Sequence, residues 1–399
     1  MSRLLKSDLC IRYMTAVAAS AAGRNGYFII VAYLAVDLAD GPSFIAILLA
    51  AGSIAEFLTT NLGGMIVDRY ERRLICLVCD FLRITLMIST LFGLSTFDPH
   101  PVLGISWILY AIIDRTYLTT LQAVIPTLGP SSQLVRNNSI SYINMQAGNL
   151  IAAVVAGALL ILVPQSVVLL LPVCCFVTSF LAMFSGDFSG LYSSAAATKI
   201  TSIVGRDALP TALPSNELRL LAFVYGLMYA MGMLVSVLAS TLVLKELAGT
   251  ALDFGFLEAA WAVGSILGCV VFWAGPARTP EQIGLLLISG CLLSIFLMFG
   301  YLHLAILQFT VLGVTYNISR LKVDVHIQRL IPLQELGRCR AQVHTICVGV
   351  GLLTYGSIAA IGNNAEPKTI FGFFGLLMVA TALLVSMKGS AAARASRET

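Results

Sequence analysis

Charged side chains interrupt stretches that are otherwise apolar: Arg24, Glu56, Asp80, Arg83, Asp114, Arg115, Glu258, Arg320, Lys322 and Asp324. A charge in the middle of a membrane costs at least ~2.5–3.5 kcal/mol on insertion scales, so each needs a reason. A guanidinium makes paired hydrogen bonds to a carboxylate. Arg24, Arg115 and Arg320 are therefore candidate binders of an acidic ligand. Tyr316, Asn317 and Asp324 share a helical face with Arg320. A carboxyl group in apolar surroundings exchanges its proton nearer to neutral pH than one in water. Glu56, Asp114, Glu258 and Asp324 are thus candidate proton carriers. The competing reading makes all of these internal ion pairs that hold helices together. Asp80 and Arg83, one helical turn apart near the start of their run, read as a structural or gating pair. Lys322 faces away from Arg320 and reads as a snorkelling side chain.

Helices must position these groups. Of the 399 residues, 58% are hydrophobic and 11% charged, against roughly a quarter charged in a soluble domain. Those proportions exclude a soluble globular protein, a disordered chain and a nucleic-acid binder. The net charge of +4 is too small to suggest a polyanionic partner. Apolar runs fall at about 10–36, 43–66, 74–97, 102–124, 138–163, 166–186, 218–244, 252–274, 282–300, 303–327, 342–362 and 368–387. Each is about the length of a bilayer crossing. The expected fold is therefore an all-α membrane protein of twelve transmembrane helices. The N-terminal stretch reads as a retained first crossing rather than a cleaved signal, because Arg12 interrupts its short apolar region.

The polar segment 187–217 contains Pro210 and Pro214 and reads as a cytoplasmic linker. It divides the chain into an N-terminal six-helix bundle, 1–186, and a C-terminal bundle with a short cytoplasmic tail, 218–399. With both termini in the cytoplasm, sixteen Lys and Arg fall on inside segments, and two, Lys245 and Lys368, on outside ones. A weak repeat links the halves at an offset of 206 positions. Tyr110 meets Tyr316, Ile112 meets Ile318, Gln122 meets Gln328, and Ile125-Pro126 meets Ile331-Pro332. Two parallel six-helix repeats are an expected transporter architecture.

Cys76-x-x-Cys79 has metal or redox spacing but lies in an apolar helix with no His nearby, so it reads as packing. Neither a metal nor a cofactor is expected. The chain contains no Gly-x-x-x-x-Gly-Lys loop, Gly-x-Ser-x-Gly elbow or His-Glu-x-x-His pair, so neither an enzyme nor an ATP-driven pump is expected.

After the second apolar run comes Gly64-Met65-Ile66-Val67-Asp68-Arg69-Tyr70-Glu71-Arg72-Arg73. It resembles the loop signature of the major facilitator superfamily between helices 2 and 3. The resemblance implies a gating role for Gly64, Asp68, Arg69, Arg72 and Arg73, with Asp80 and Arg83 following at related spacing. It also implies that helices 1, 4, 7 and 10 surround a central cavity, where Arg24, Asp114, Arg115 and Arg320 would meet. Asp80-x-x-Arg83, Ile125-Pro126 with Leu134-x-x-Asn137, and Ile331-Pro332 with Leu336-Gly337-Arg338 are similar to the branch of macrolide-efflux proteins and the enterobactin exporter. Gly148-Asn149-Leu150-Ile151 lacks the proline of drug/proton antiporters, and Arg24 stands where relatives often carry an acid. The second-half copy of the loop signature is reduced to Gly275-Pro276-Ala277-Arg278.

The resulting expectation is a secondary active transporter, a monomer in a bacterial inner membrane. It would be a proton-coupled exporter of a small polar or acidic metabolite of siderophore or metallophore type, working by alternating access. Its partners would be that small molecule, protons and the lipid bilayer. A multidrug or macrolide-type pump, and uptake or facilitated transport of an organic anion, are the competing transport readings.

Overall fold

The computed structural model describes residues 2–38, 41–124, 134–185, 216–275, 279–330, 336–361 and 366–398. Most of the expected linker lies outside the described residues. The backbone of Gly64, Asp68, Arg69 and Asp324 is helical, but their side chains lie outside that description.

Twelve long helices run through the described residues: α1 Ser2–Asp37, α2 Gly41–Arg69, α3 Arg72–Thr96, α4 Pro99–Val124, α5 Leu134–Leu162, α6 Leu170–Ser185, α7 Asn216–Thr241, α8 Ala251–Ala274, α9 Gln282–Ser294, α10 Leu302–Leu330, α11 Leu336–Ile361 and α12 Pro367–Glu398. Every expected crossing has its helix. Seven helices carry segments long and apolar enough to cross a membrane. Helices are what apolar runs of this length must form there, because hydrocarbon offers no partners for free N–H and C=O groups.

The breaks follow local chemistry. Asp98 precedes Pro99 and accepts the His100 backbone N–H at 2.9 Å, capping α4. Proline at the first helical position loses no hydrogen bond. At α8, Thr250 and Asp253 form a reciprocal capping box. The end of α7 widens into a π-helical turn, Leu242–Glu246. The Glu246 carboxylate accepts the Lys368 backbone N–H at the start of α12.

The chain forms two compact units. The first holds α1, Ile47–Arg69 of α2, α3 to α6, and Phe254–Ala259 of α8. The second holds the first six residues of α2, α7, the rest of α8, and α9 to α12. In the first unit α1 packs on α5 and α6, and α3 on α4 and α6. Six helices later the pairings recur: α7 packs on α11 and α12, and α9 on α10 and α12. The weak sequence repeat is thus expressed as repeated packing.

Two close approaches demand glycine. A Cβ on Gly148 would strike the Ala18 carbonyl oxygen, so its absence lets α5 lie directly on α1. In the second unit a Cβ on Gly264 of α8 would strike the Thr310 carbonyl oxygen of α10. Cys76 and Cys79 are buried in the apolar cluster formed with Tyr13, Val17, Tyr117 and Met183, the packing role expected for them.

Candidate functional site

Helical spacing collects the ionisable groups of the first unit. On α3 the buried positions are Ile75, Cys76, Cys79, Asp80, Arg83, Met87 and Thr90, one face of a 3.6-residue repeat. Ser20 and Arg24 are a turn apart on α1. Asp114 and Tyr117 are a turn apart on α4. Phe176 and Ser179 are a turn apart on α6.

Arg83 is the centre. It is fully buried, and its Nη1 donates to Asp114 Oδ1 at 2.9 Å and to Ser20 Oγ at 2.9 Å. Its Nη2 donates to Asp80 Oδ1. Ser179 donates to the other Asp80 oxygen at 2.9 Å. Having given its proton there, Ser179 accepts from the Tyr117 hydroxyl at 2.7 Å. The guanidinium carbon lies 3.8 Å from the Tyr117 ring centroid and 4.5 Å from that of Phe176. Two carboxylates and two aromatic faces therefore enclose one cation, the arrangement that a buried charge requires.

Asp114 links this enclosure to a more open group. Its Oδ2 lies 3.6 Å from Arg24 Nη1. The Arg24 side chain is 24% exposed, against 7% for Asp114 and none for Arg83. One carboxylate thus divides between a cation held tightly and a cation held loosely. Glu56 has Asp114, Arg115 and Arg24 as its charged neighbours. Arg115, one position on from Asp114, is half-buried, and its Nε finds no partner among the described residues.

The structure therefore joins two sets that sequence reasoning kept apart. Asp80 and Arg83 were expected as a pair near one end of their helix. They pair as expected, but Arg83 lies about 16 Å along α3 and bonds to Asp114. Of the residues with an expected gating role, Arg73 has a definite contact. Its Nε and Nη2 donate to the Met183 and Phe184 carbonyl oxygens at 3.2 and 2.6 Å, capping α6. Arg72 is half-buried beside it. Ser20, Tyr117, Phe176 and Ser179 complete the Arg83 enclosure. The shared helical face of Tyr110, Asp114 and Tyr117 was the sequence signal that pointed to one of them, Tyr117.

In the second unit the Trp261 ring lies 5.5 Å from that of Tyr316. Asn317 is buried and donates to the Gly313 carbonyl at 3.0 Å, which turns its amide back onto its own helix. Arg320 lies near Cys269. Lys322 donates to the Thr279 carbonyl at 3.2 Å instead of only snorkelling. Glu258 lies in the segment of α8 that belongs to the first unit, half-buried and with no ion pair among the described residues. Among the described residues no group of three His, Cys, Asp or Glu side chains could hold a metal ion.

The site is thus a network of fixed charges buried within a twelve-helix membrane fold. Residues 13–339 match the family model described as Major Facilitator Superfamily, and the chain belongs to that family. Solved structures share the fold. A peptide transporter POT in complex with sulfate superposes with a TM-score of 0.73 at 13% identity, covering 96% of this chain and 94% of that one. A bacterial homologue of the iron transporter ferroportin, in an inward-facing state, gives 0.69 at 16% identity, with 97% and 99% covered. The nucleoside transporter NupG gives 0.69 at 13%, with 97% and 98% covered. No curated protein sequence matches this chain.

Proposed function

We propose that the protein is a proton-coupled exporter that expels a small polar or acidic metabolite, of siderophore or metallophore type, by alternating access of its two six-helix halves. The observation that carries this reading is the unequal division of Asp114. Arg83 holds one carboxylate oxygen inside a closed cage, while Arg24 holds the other loosely from a partly exposed position. An acidic group on a substrate competes with Asp114 for Arg24, because a guanidinium accepts a second carboxylate without a change of geometry. Asp114 remains held by Arg83 when Arg24 turns to the substrate. Arg115, beside Asp114, offers a second guanidinium, and Tyr316, Asn317 and Arg320 are the corresponding candidates of the second half.

Coupling in this reading falls to carboxylates, first to those that Arg83 does not hold. Glu56, in the electrostatic neighbourhood of Asp114, Arg115 and Arg24, is the leading carrier. Glu258, without an ion pair among the described residues, is a second, and Asp114 and Asp324 complete the set. Gly64, Asp68, Arg69 and Arg72 belong to the gate between cycles, with Arg73 anchoring that gate to α6. The motif resemblance to macrolide-efflux proteins and the enterobactin exporter supports the outward direction. The protein works as a monomer in a bacterial inner membrane with both termini in the cytoplasm.

The test is transport by purified protein in liposomes bearing a pH gradient, with efflux and lumenal pH followed together. Candidate substrates come from a thermal-shift screen of anionic, cationic and neutral compounds. Stabilisation by anions and loss of transport in Arg24→Ala and Asp114→Asn are the expected results. Transport unchanged in both variants removes the site assignment, and stabilisation by lipophilic cations alone overturns the acidic-substrate reading.

A further inference from the structure

The outer surface of α1 carries a second feature, unrelated to the charge network. Ile11, Thr15, Ala18 and Ala22 recur at helical spacing, about half a turn around α1 from Ser20 and Arg24. This stripe is one wall of a cavity of about 500 Å³ whose other wall is α5, including Ile151. Thr15 also lines a neighbouring cavity of about 320 Å³ between α1 and α6, beside Arg12, Thr178 and Leu181. The two share Thr15 and form one groove along the back of α1.

The chemistry of the groove selects its occupant. Thr15 donates to the Ile11 carbonyl at 2.9 Å, Thr178 to Cys174 at 2.9 Å, and Asn144 to Ile140 at 2.9 Å. These polar side chains are satisfied by their own helices, so they offer a hydrocarbon chain no competing demand. Ile11 is 61% exposed and Leu181 55%, apolar surface suited to lipid and not to water. Among the described residues lining the groove Arg12 is the one that is charged, and it sits at one end. Its Nη1 donates to Ser185 Oγ at 2.5 Å, in the last turn of α6 that Arg73 caps. Two guanidiniums therefore gather where the apolar part of α1 begins and α6 ends. From Ile11 to Ala22 the stripe runs about 16 Å without a charge.

We propose that this groove binds an anionic phospholipid of the surrounding bilayer, with the phosphate on Arg12 and an acyl chain along Ile11, Thr15, Ala18 and Ala22. A neutral amphiphile gains nothing from Arg12, and a small anion leaves the apolar wall uncovered. Charge and shape together point to a lipid carrying both parts. The inference rests on the fold and its membrane setting and is independent of the substrate reading above.

Native mass spectrometry of the purified full chain, incubated with phosphatidylglycerol or phosphatidylcholine of the same chain length, tests it. Wild type is expected to retain phosphatidylglycerol about tenfold better than phosphatidylcholine. Arg12→Gln should reduce that preference to near unity, and Arg12→Lys should keep part of it. Thr15→Trp, at the exposed junction of the two cavities, should lower occupancy by both lipids. Arg219→Gln on α7 should behave as wild type. Equal retention of the two lipids by wild type, or unchanged retention in both Arg12→Gln and Thr15→Trp, overturns the proposal. A measurement on wild type alone guards against a variant that fails to fold. Millimolar inorganic phosphate should leave phosphatidylglycerol bound, and displacement by phosphate alone would show an anion site without a lipid groove.

Discussion

Arg83 is the residue on which the first unit depends most. Without its positive charge, Asp80 and Asp114 are left as adjacent buried anions. Arg83→Gln is therefore expected to destabilise the protein by about 3–5 kcal/mol, the usual consequence of stranding a buried charge. Arg83→Lys should recover only part of this, because an ammonium cannot serve both carboxylates in the plane of a fork while lying over Tyr117 and Phe176. Arg24→Ala should behave differently. Its contact with Asp114 is loose and partly exposed, so the variant is expected to unfold within about 1 kcal/mol of wild type. Thermal unfolding in one detergent compares the three directly. A greater loss in Arg24→Ala than in Arg83→Gln would reverse the assignment of tight and loose partners.

Helix ends and helix crossings depend on short-range chemistry. Asp98 caps α4, and its carboxyl is held below the usual carboxylate range by the backbone N–H of His100 and then by the His100 ring. Because the folded pKa is depressed, this contribution is present above the ordinary aspartate value and disappears as pH falls through the lower folded value. The protection factor of the His100 amide, its intrinsic exchange rate over the observed rate at the same pH, should accordingly fall in acid in wild type, while Asp98→Ala should show low protection at every pH. Exchange that is unaffected by the substitution would remove Asp98 as the cap. At the α1–α5 crossing, Gly148 touches the Ala18 backbone. Gly148→Leu has no space there, and a penalty at or above the ~1–3 kcal/mol typical of overpacking is expected in thermal unfolding.

Across the whole molecule the recurrence of helix pairings makes each half a copy of one six-helix plan. The distribution of Lys and Arg puts both termini on the cytoplasmic side in our reading. A fluorescent protein fused to the C-terminus should then fold and emit. Alkaline phosphatase inserted at Gly300, in the turn between α9 and α10, should be active outside. The opposite pattern would invert the topology, and with it the side from which Arg73 and the gating segment act. Arg12, near the start of the apolar run of α1, also begins the proposed lipid groove.

The number of helices, their order and the family were legible in the sequence, because apolar length and the Gly64–Arg73 pattern are local properties of a chain that must satisfy its backbone in lipid. So was the need of Arg24, Asp80, Arg83 and Asp114 for partners, since a charge in hydrocarbon always demands one. The choice of partner was not. Arg83 and Asp114 lie on different helices, and whether they meet depends on how α3 and α4 rotate when α1 and α6 close around them. Only the packed bundle decided that the sequence-adjacent pair on α3 and the charges on α1 and α4 form one network. Only the packed bundle turned the opposite face of α1 into a groove.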